Sequence, residues 1–130
     1  MLFIILVCFS LYGISKVKNR NLSESGHCNK YKCSIVTTKN NSKISFTGMF
    51  WNNKNEQVRI FYKLGAIKKG ISGNSDNAQS GEVLVKRNTE VVLSNISFNL
   101  SKDDTYLIKL QIFKGNRIIS SDSLDFDYSN

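Results

Sequence analysis

The chain of 130 residues contains no proline and a single histidine. Without proline no turn can be stiffened by a fixed φ, so turns must rest on Gly, Asn, Asp and Ser, all of which are plentiful. With His27 alone, the commonest general base and metal ligand is in short supply. His27 sits beside Cys28 on an N-terminal segment, and sequence neighbours there cannot hold a nucleophile–base geometry. His27, Cys28 and Cys33 supply at most three ligands, with no second cluster, so no metal is expected. A redox reading would prefer Cys-x-x-Cys at a helix start, which is absent. GNSDN lacks the spaced acidic ligands of a calcium loop, and no phosphate-cradling glycine motif occurs. These absences exclude most catalysis, and neither an enzyme nor a cofactor is expected.

Long apolar runs are missing too. The charge-free stretch Leu2–Ile14 (LFIILVCFSLYGI) falls short of the roughly 20 residues that a membrane helix needs. It suits the apolar region of a secretory signal, and Lys16, Lys18 and Arg20 follow it. Residues 1–20 therefore read as a signal peptide, or as a short signal-anchor held by that basic cluster. A buried first strand is the other reading. No basic residue precedes the run and no small-x-small cleavage site ends it. Residues 21–33 read as a flexible N-terminal segment. In an oxidising compartment, Cys28 and Cys33 within HCNKYKC could form a local disulfide. Its loop is too short to add much stability.

The formal net charge is +8. The first 20 residues hold three basic and no acidic groups, which leaves 15 basic against 10 acidic over 21–130, a net of +5. A moderately basic domain favours acidic or amide-rich partners. Nucleic acid is not expected, since the basic residues are scattered and no recognition helix or RNA-binding motif accompanies them.

What is present is a succession of strands. SIVTT (34–38) is short and β-branched. ISFTGMFW (44–51) places Ile44, Phe46, Gly48 and Phe50 on one face, and the Asn-rich turn 52–55 follows. QVRIFYKL (57–64) alternates, with Val58, Ile60, Tyr62 and Leu64 inward and Arg59, Phe61 and Lys63 outward. Gly65–Lys69 extends that strand or bulges. The tract Gly70–Ser80 is too polar to pack and reads as a loop or a loose edge. EVLVK (82–86), VVLSNISFNL (91–100), YLIKLQIFK (106–114) and RIISSDSLDF (117–126) complete the set, with Lys114-Gly-Asn116 as a hairpin turn. Tyr106, Ile108, Leu110 and Ile112 form the inner stripe of the sixth. About seven antiparallel strands without helical periodicity indicate an all-β, immunoglobulin-like β-sandwich over 34–127, with a small closed barrel as the alternative.

The carboxylates at Asp103-Asp104 and at Asp122, Asp125 and Asp127 fall in or near turns, where they are expected to cap backbone amides. Trp51, Phe61, Phe113 and Tyr31 lie off the main core stripe. They either cover a sheet or, with Arg59, Lys63, Lys68 and Lys69 nearby, form a partly apolar, basic-rimmed surface for an extended polar chain. Lys63, Lys68, Lys69 and Lys114 are expected to guard sheet edges.

The order of elements carries a resemblance. The Gly/Ser/Gln tract at 73–81 is followed by Glu82–Thr89, Val92-Leu93-Ser94, Ile96-x-Phe98-x-Leu100 and Ser101-x-Asp103-Asp104. A strand ending at Gly115-Asn116 and a polar last strand follow. From Val58 to Leu124 this run resembles the curli-biogenesis amyloid-inhibiting chaperones, the CsgC/CsgH family. The resemblance implies a small periplasmic immunoglobulin-like domain that keeps secreted amyloid subunits unpolymerised until export. One branch of that family carries Cys-x-Cys at the positions matching Asn55–Gln57. This chain has none there, so it is similar to the cysteine-less branch.

The function expected on this basis is a periplasmic or secreted, monomeric inhibitor of a curli-type amyloid subunit. It would act through Arg59, Phe61, Lys63, Lys68 and Lys69, with no small-molecule substrate, and would touch membrane only through an uncleaved leader. The alternative is a secreted or surface-anchored β-sandwich module for adhesion or carbohydrate binding.

Overall fold

A computed structural model describes residues 30–71 and 73–127. The segment 1–29, and with it the leader, His27 and Cys28, lies outside the described residues. Seven strands follow one another: β1 (Tyr31–Lys39), β2 (Lys43–Asn52), β3 (Val58–Gly70), β4 (Gly73–Val85), β5 (Thr89–Asn99), β6 (Thr105–Lys114) and β7 (Arg117–Asp127). They form two antiparallel sheets, one of three strands in the order β1-β2-β5 and one of four in the order β4-β3-β6-β7. This is an immunoglobulin-like sandwich, not a closed barrel.

Alternation explains the core. Ile44, Phe46 and Phe50 of β2 face Val58, Ile60, Leu64 and Ala66 of β3 and Tyr106, Ile108, Leu110 and Ile112 of β6, all buried. Phe98, Leu124 and Phe126 close one end. There Tyr106 is the centre of an aromatic cluster, 5.7 Å from Phe46, 5.5 Å from Phe98 and 5.9 Å from Phe126 between ring centroids. Rings at such spacings contribute about 0.5–1.5 kcal/mol per pair beyond their burial.

Two boundaries differ from the sequence reading. β1 begins at Tyr31, so Cys33 belongs to a strand and not to a flexible segment. Tyr31 supplies the reason, since its ring stacks on Phe50 at 5.9 Å and anchors the strand start. The polar tract Gly70–Ser80 is not a loop. Gly70 ends β3, and residues 73–80 form the first part of β4, in unbroken register with β3 from Gly70↔Gly73 to Val58↔Val85. An edge strand needs only one neighbour to satisfy its ladder, so a sequence without apolar alternation still pairs when a long template lies beside it. β3 is that template, and Gly65–Lys69 extends it without a bulge.

Asn52 fastens the end of the sandwich. It is fully buried at the end of β2, and its Nδ2 donates to the carbonyls of Glu56 at 3.0 Å, Val85 at 3.3 Å and Lys86 at 3.1 Å. Its Oδ1 accepts from the Lys54 N–H at 2.9 Å. One amide thus satisfies backbone groups on both sides of the crossing from the first sheet to the second.

Candidate partner-binding face

β3 runs through the four-stranded sheet as an inner strand, and the parity of its residues sorts the sequence-derived contact residues. Arg59, Phe61, Lys63, Gly65, Ile67 and Lys69 share the outer face, while Val58, Ile60, Tyr62, Leu64, Ala66, Lys68 and Gly70 share the inner one. Arg59, Phe61, Lys63 and Lys69 are exposed. Lys68 is not among them.

Lys68 turns inward and meets Asp104, with Nζ 3.4 Å from Oδ2; the side chains are only 15% and 1% exposed. Its ammonium also lies 6.0 Å from the Phe98 ring centroid. The expectation that Lys68 belongs to the contact surface is therefore corrected: it is the counter-ion of a buried carboxylate. Gly70 makes room for that carboxylate, since a Cβ there would fall 1.7 Å from Asp104 Oδ1. The expectation of lysine-guarded edges is corrected as well. Lys63, Lys68 and Lys69 stand on β3 and Lys114 ends β6, both of them inner strands.

The outer face is built in rows across the strands. One row joins Glu82, Phe61, Phe113 and Ile118, with Leu84 beside it opposite Arg59. Leu84, Phe61 and Ile118 are 48%, 39% and 52% exposed, which gives this end of the sheet an apolar patch. The Phe61 and Phe113 rings lie 6.1 Å apart, and the Lys63 ammonium is 5.8 Å from the Phe113 centroid. The sequence brought Phe61 and Phe113 to notice, but not Leu84 and Ile118. Their signal was parity alone, and it is blurred in β7 by the register shift at Ile112/Phe113.

Every charge on this face stands opposite uncharged residues. Lys63 pairs with Ser80 and Gln111, Lys69 with Asn74 and Thr105, and Lys109 with Gly65 and Ser123. Asp76 faces Ile67, Glu82 faces Phe61 and Asp125 faces Leu107. Two ion pairs, Lys54–Glu56 and Lys68–Asp104, lie elsewhere.

Cys33 is a free, half-buried thiol that accepts a hydrogen bond from Ser120 Oγ at 3.3 Å. Burial pushes its pKa up to about 11; the Ser120 bond opposes the rise and the Asp122 charge adds to it. Such a thiol is a poor nucleophile at neutral pH. On the other sheet, Trp51 is exposed at the end of a polar ladder in which Ser45 bonds Ser97 at 2.9 Å and Asn95 Nδ2 donates to Thr47 at 2.7 Å.

No family model and no curated protein matches the sequence. Solved structures do. The E. coli curli protein CsgC superposes with a TM-score of 0.61 at 18% identity, covering 72% of this chain and 96% of that one. R. palustris CsgH, solved in solution, gives 0.56 at 20% identity over 75% of this chain and 91% of that one. The chain has the CsgC/CsgH fold. The Bacillus subtilis sporulation control protein Spo0M also matches, at a TM-score of 0.51 and 10% identity, but over only 51% of its own length. The sandwich frame is thus shared more widely, while CsgC and CsgH are matched along nearly the whole of their own chains.

Proposed function

We propose that the protein is a non-catalytic, periplasmic or secreted module of curli-type fibre assembly that keeps an amyloid subunit from polymerising before export. The observation that carries this reading is the outer face of the four-stranded sheet. An apolar patch of Leu84, Phe61, Phe113 and Ile118 is bordered by Arg59 and Lys63, and the charges of that face are left unmatched within the sheet. The CsgC/CsgH fold, matched over 96% of CsgC and 91% of CsgH, supports this biological setting. Arg59, Phe61, Lys63 and Lys69 make the contact, Phe113 backs Phe61, and Lys68 supports the fold. An inhibitor of this kind needs no tight complex, because it acts on early oligomers and growing ends.

The test is fibre growth of a curli-type subunit followed by thioflavin fluorescence with substoichiometric full chain. A lengthened lag is expected, shortened again by Arg59→Ala/Lys63→Ala and by Phe61→Ser. A lag unchanged by the wild-type protein overturns the proposal. The exposed Trp51 beside its Ser/Thr/Asn ladder favours a second reading, a carbohydrate-binding module, which predicts retention on immobilised glycans that is lost in Trp51→Ala.

A further inference from the structure

The sandwich has four terminal strands, and three of them are blunted. On β1, the Ile35 N–H donates to Asp122 of β7 at 2.9 Å, so a side chain closes that edge. β7 carries Asp122, Asp125 and Asp127 and shifts register against β6. Charge and irregularity are the usual protections of an edge. β5 is irregular opposite Gly48/Met49, and Gln79 of β4 donates to its Asn95 carbonyl at 3.4 Å.

β4 lacks the irregularity, and its only devices are two acidic residues and Gln79, whose side chain bonds Asn95 and Ser94 of β5. β4 runs for 13 residues without a register shift, and it holds no proline, lysine or arginine. Its two charges, Asp76 and Glu82, both point to the outer face, and Asn77–Gly81 between them is uncharged. Most of Gly73–Ser80 is exposed. As the last strand of its sheet, β4 turns every second residue's N–H and C=O away from β3, over a length of about 40 Å.

We infer that the β4 edge takes up an extended, amide-rich segment of a partner as a fifth strand, with a basic residue of that segment set against Asp76 or Glu82. The inference rests on the proposed function and names the edge through which the restraint acts. Backbone pairing supplies affinity for any extended chain, and the alternate side chains supply selection. Charge selects against a second copy of this chain. In an antiparallel self-pairing centred on Gln79, Asp76 meets Glu82 at both ends of the repeat. In a parallel one, each acid meets itself. Like charges directly opposite destabilise a strand pair. A captured segment has one edge occupied by β4, beyond which lies a finished sandwich and not another template, so that edge is withdrawn from fibre growth.

The probe is a synthetic 13-residue peptide of Gly, Ser, Asn and Gln with one Lys, added to the full chain. Hydrogen exchange is expected to slow at every second amide between Gly73 and Gly81, and a matching peptide with Asp in place of Lys is expected to bind about five- to tenfold more weakly. Two variants give the same information functionally. Neighbouring strand residues send their N–H groups to opposite sides, so of Asn77→Pro and Ala78→Pro one removes a solvent-facing donor and the other breaks the ladder to β3. The variant that keeps wild-type melting is expected to need about fivefold more protein for the same fibre lag, the factor for one lost hydrogen bond. The charge reversals Asp76→Lys and Glu82→Lys are expected to keep wild-type melting and to lose the Lys peptide. Absence of β4 protection at saturating peptide overturns the inference, as does self-association through β4. β4 protection without any effect of the wild-type protein on fibre growth leaves the edge standing and overturns the proposed function instead.

Discussion

Lys68 and Lys69 are neighbours in sequence, both basic, and their removal is expected to have very different consequences. Lys68→Met leaves the carboxylate of Asp104, 1% exposed, without its counter-charge. Stripping one partner from a buried pair costs about 3–5 kcal/mol. Lys68 keeps some access to water, 15% of its side chain, so the lower end of about 3 kcal/mol is expected. For a domain of this size that corresponds to a fall in Tm of about 12–24 °C. Lys69→Met changes an exposed residue opposite Asn74 and Thr105 and is expected to stay within about 0.5 kcal/mol. The double variant Lys68→Met/Asp104→Asn removes both charges and is expected to recover most of the loss, because a neutral pair carries no stranded ion. Urea unfolding followed by circular dichroism measures all four proteins, and a common m-value licenses the comparison. If Lys68→Met and Lys69→Met melt together, or the double variant is as weak as the single, the pair is not what holds Asp104 inside.

A further substitution tests the interior. Asn52→Asp keeps the shape of the side chain but trades its donors for a charge facing three carbonyls, and is expected to destabilise by about 3 kcal/mol or more. Asn53→Asp keeps the oxygen that accepts from Trp51 Nε1 and serves as the near-neutral control in the same urea titration. Cys33 gives a pH signature, read in a chain with Cys8→Ser and Cys28→Ser. With the folded pKa raised from 9.0 to about 11, alkylation by iodoacetamide at pH 8 is expected to run about a hundredfold slower in the folded than in the unfolded chain. Because the unfolded thiol ionises first, the stability contributed by the neutral thiol is full below pH 9 and is lost as pH rises through about 11. Equal alkylation rates in both states would refute the burial.

Much of this was legible because β-structure writes itself with period two. The stripes Ile44-Phe46-Phe50 and Tyr106-Ile108-Leu110-Ile112 point inward in the structure as their alternation requires. The placement of Lys68 was also legible in principle. Continuing the inward series Val58, Ile60, Tyr62 and Leu64 by twos arrives at Ala66 and Lys68, but a lysine invites the assumption of a solvated side chain. β4 was hidden for another reason: Gly, Asn and Ser argue against a strand locally, and only the length of β3 beside them makes one. The edge closure of β1 by Asp122 and the Lys68–Asp104 pair join residues 87 and 36 positions apart, a separation that local pattern does not reach.

The two duties of β3 follow from that same parity. Its inward residues hold the core and the buried ion pair, while its outward residues carry Arg59, Phe61, Lys63 and Lys69. A sheet selected only for stability gains from setting opposite charges directly across from each other, since such pairs contribute about 0.2–1 kcal/mol each. Here the bases of β3 face Leu84, Ser80 and Asn74, and the acids of β4 face Phe61 and Ile67. The stabilisation available from cross-strand pairing is left unused in row after row. Charges held in that state keep their attraction for something outside the molecule, and they are arranged so that basic groups look outward from β3 while acidic ones flank the free edge of β4. A partner that lays an extended amide-rich strand along β4 and leans acidic or apolar side chains toward β3 would satisfy both sets together. That geometry makes the face and the edge parts of one contact: Arg59→Ala/Lys63→Ala and Asp76→Lys/Glu82→Lys should weaken the same complex, and their combined effect should exceed either alone.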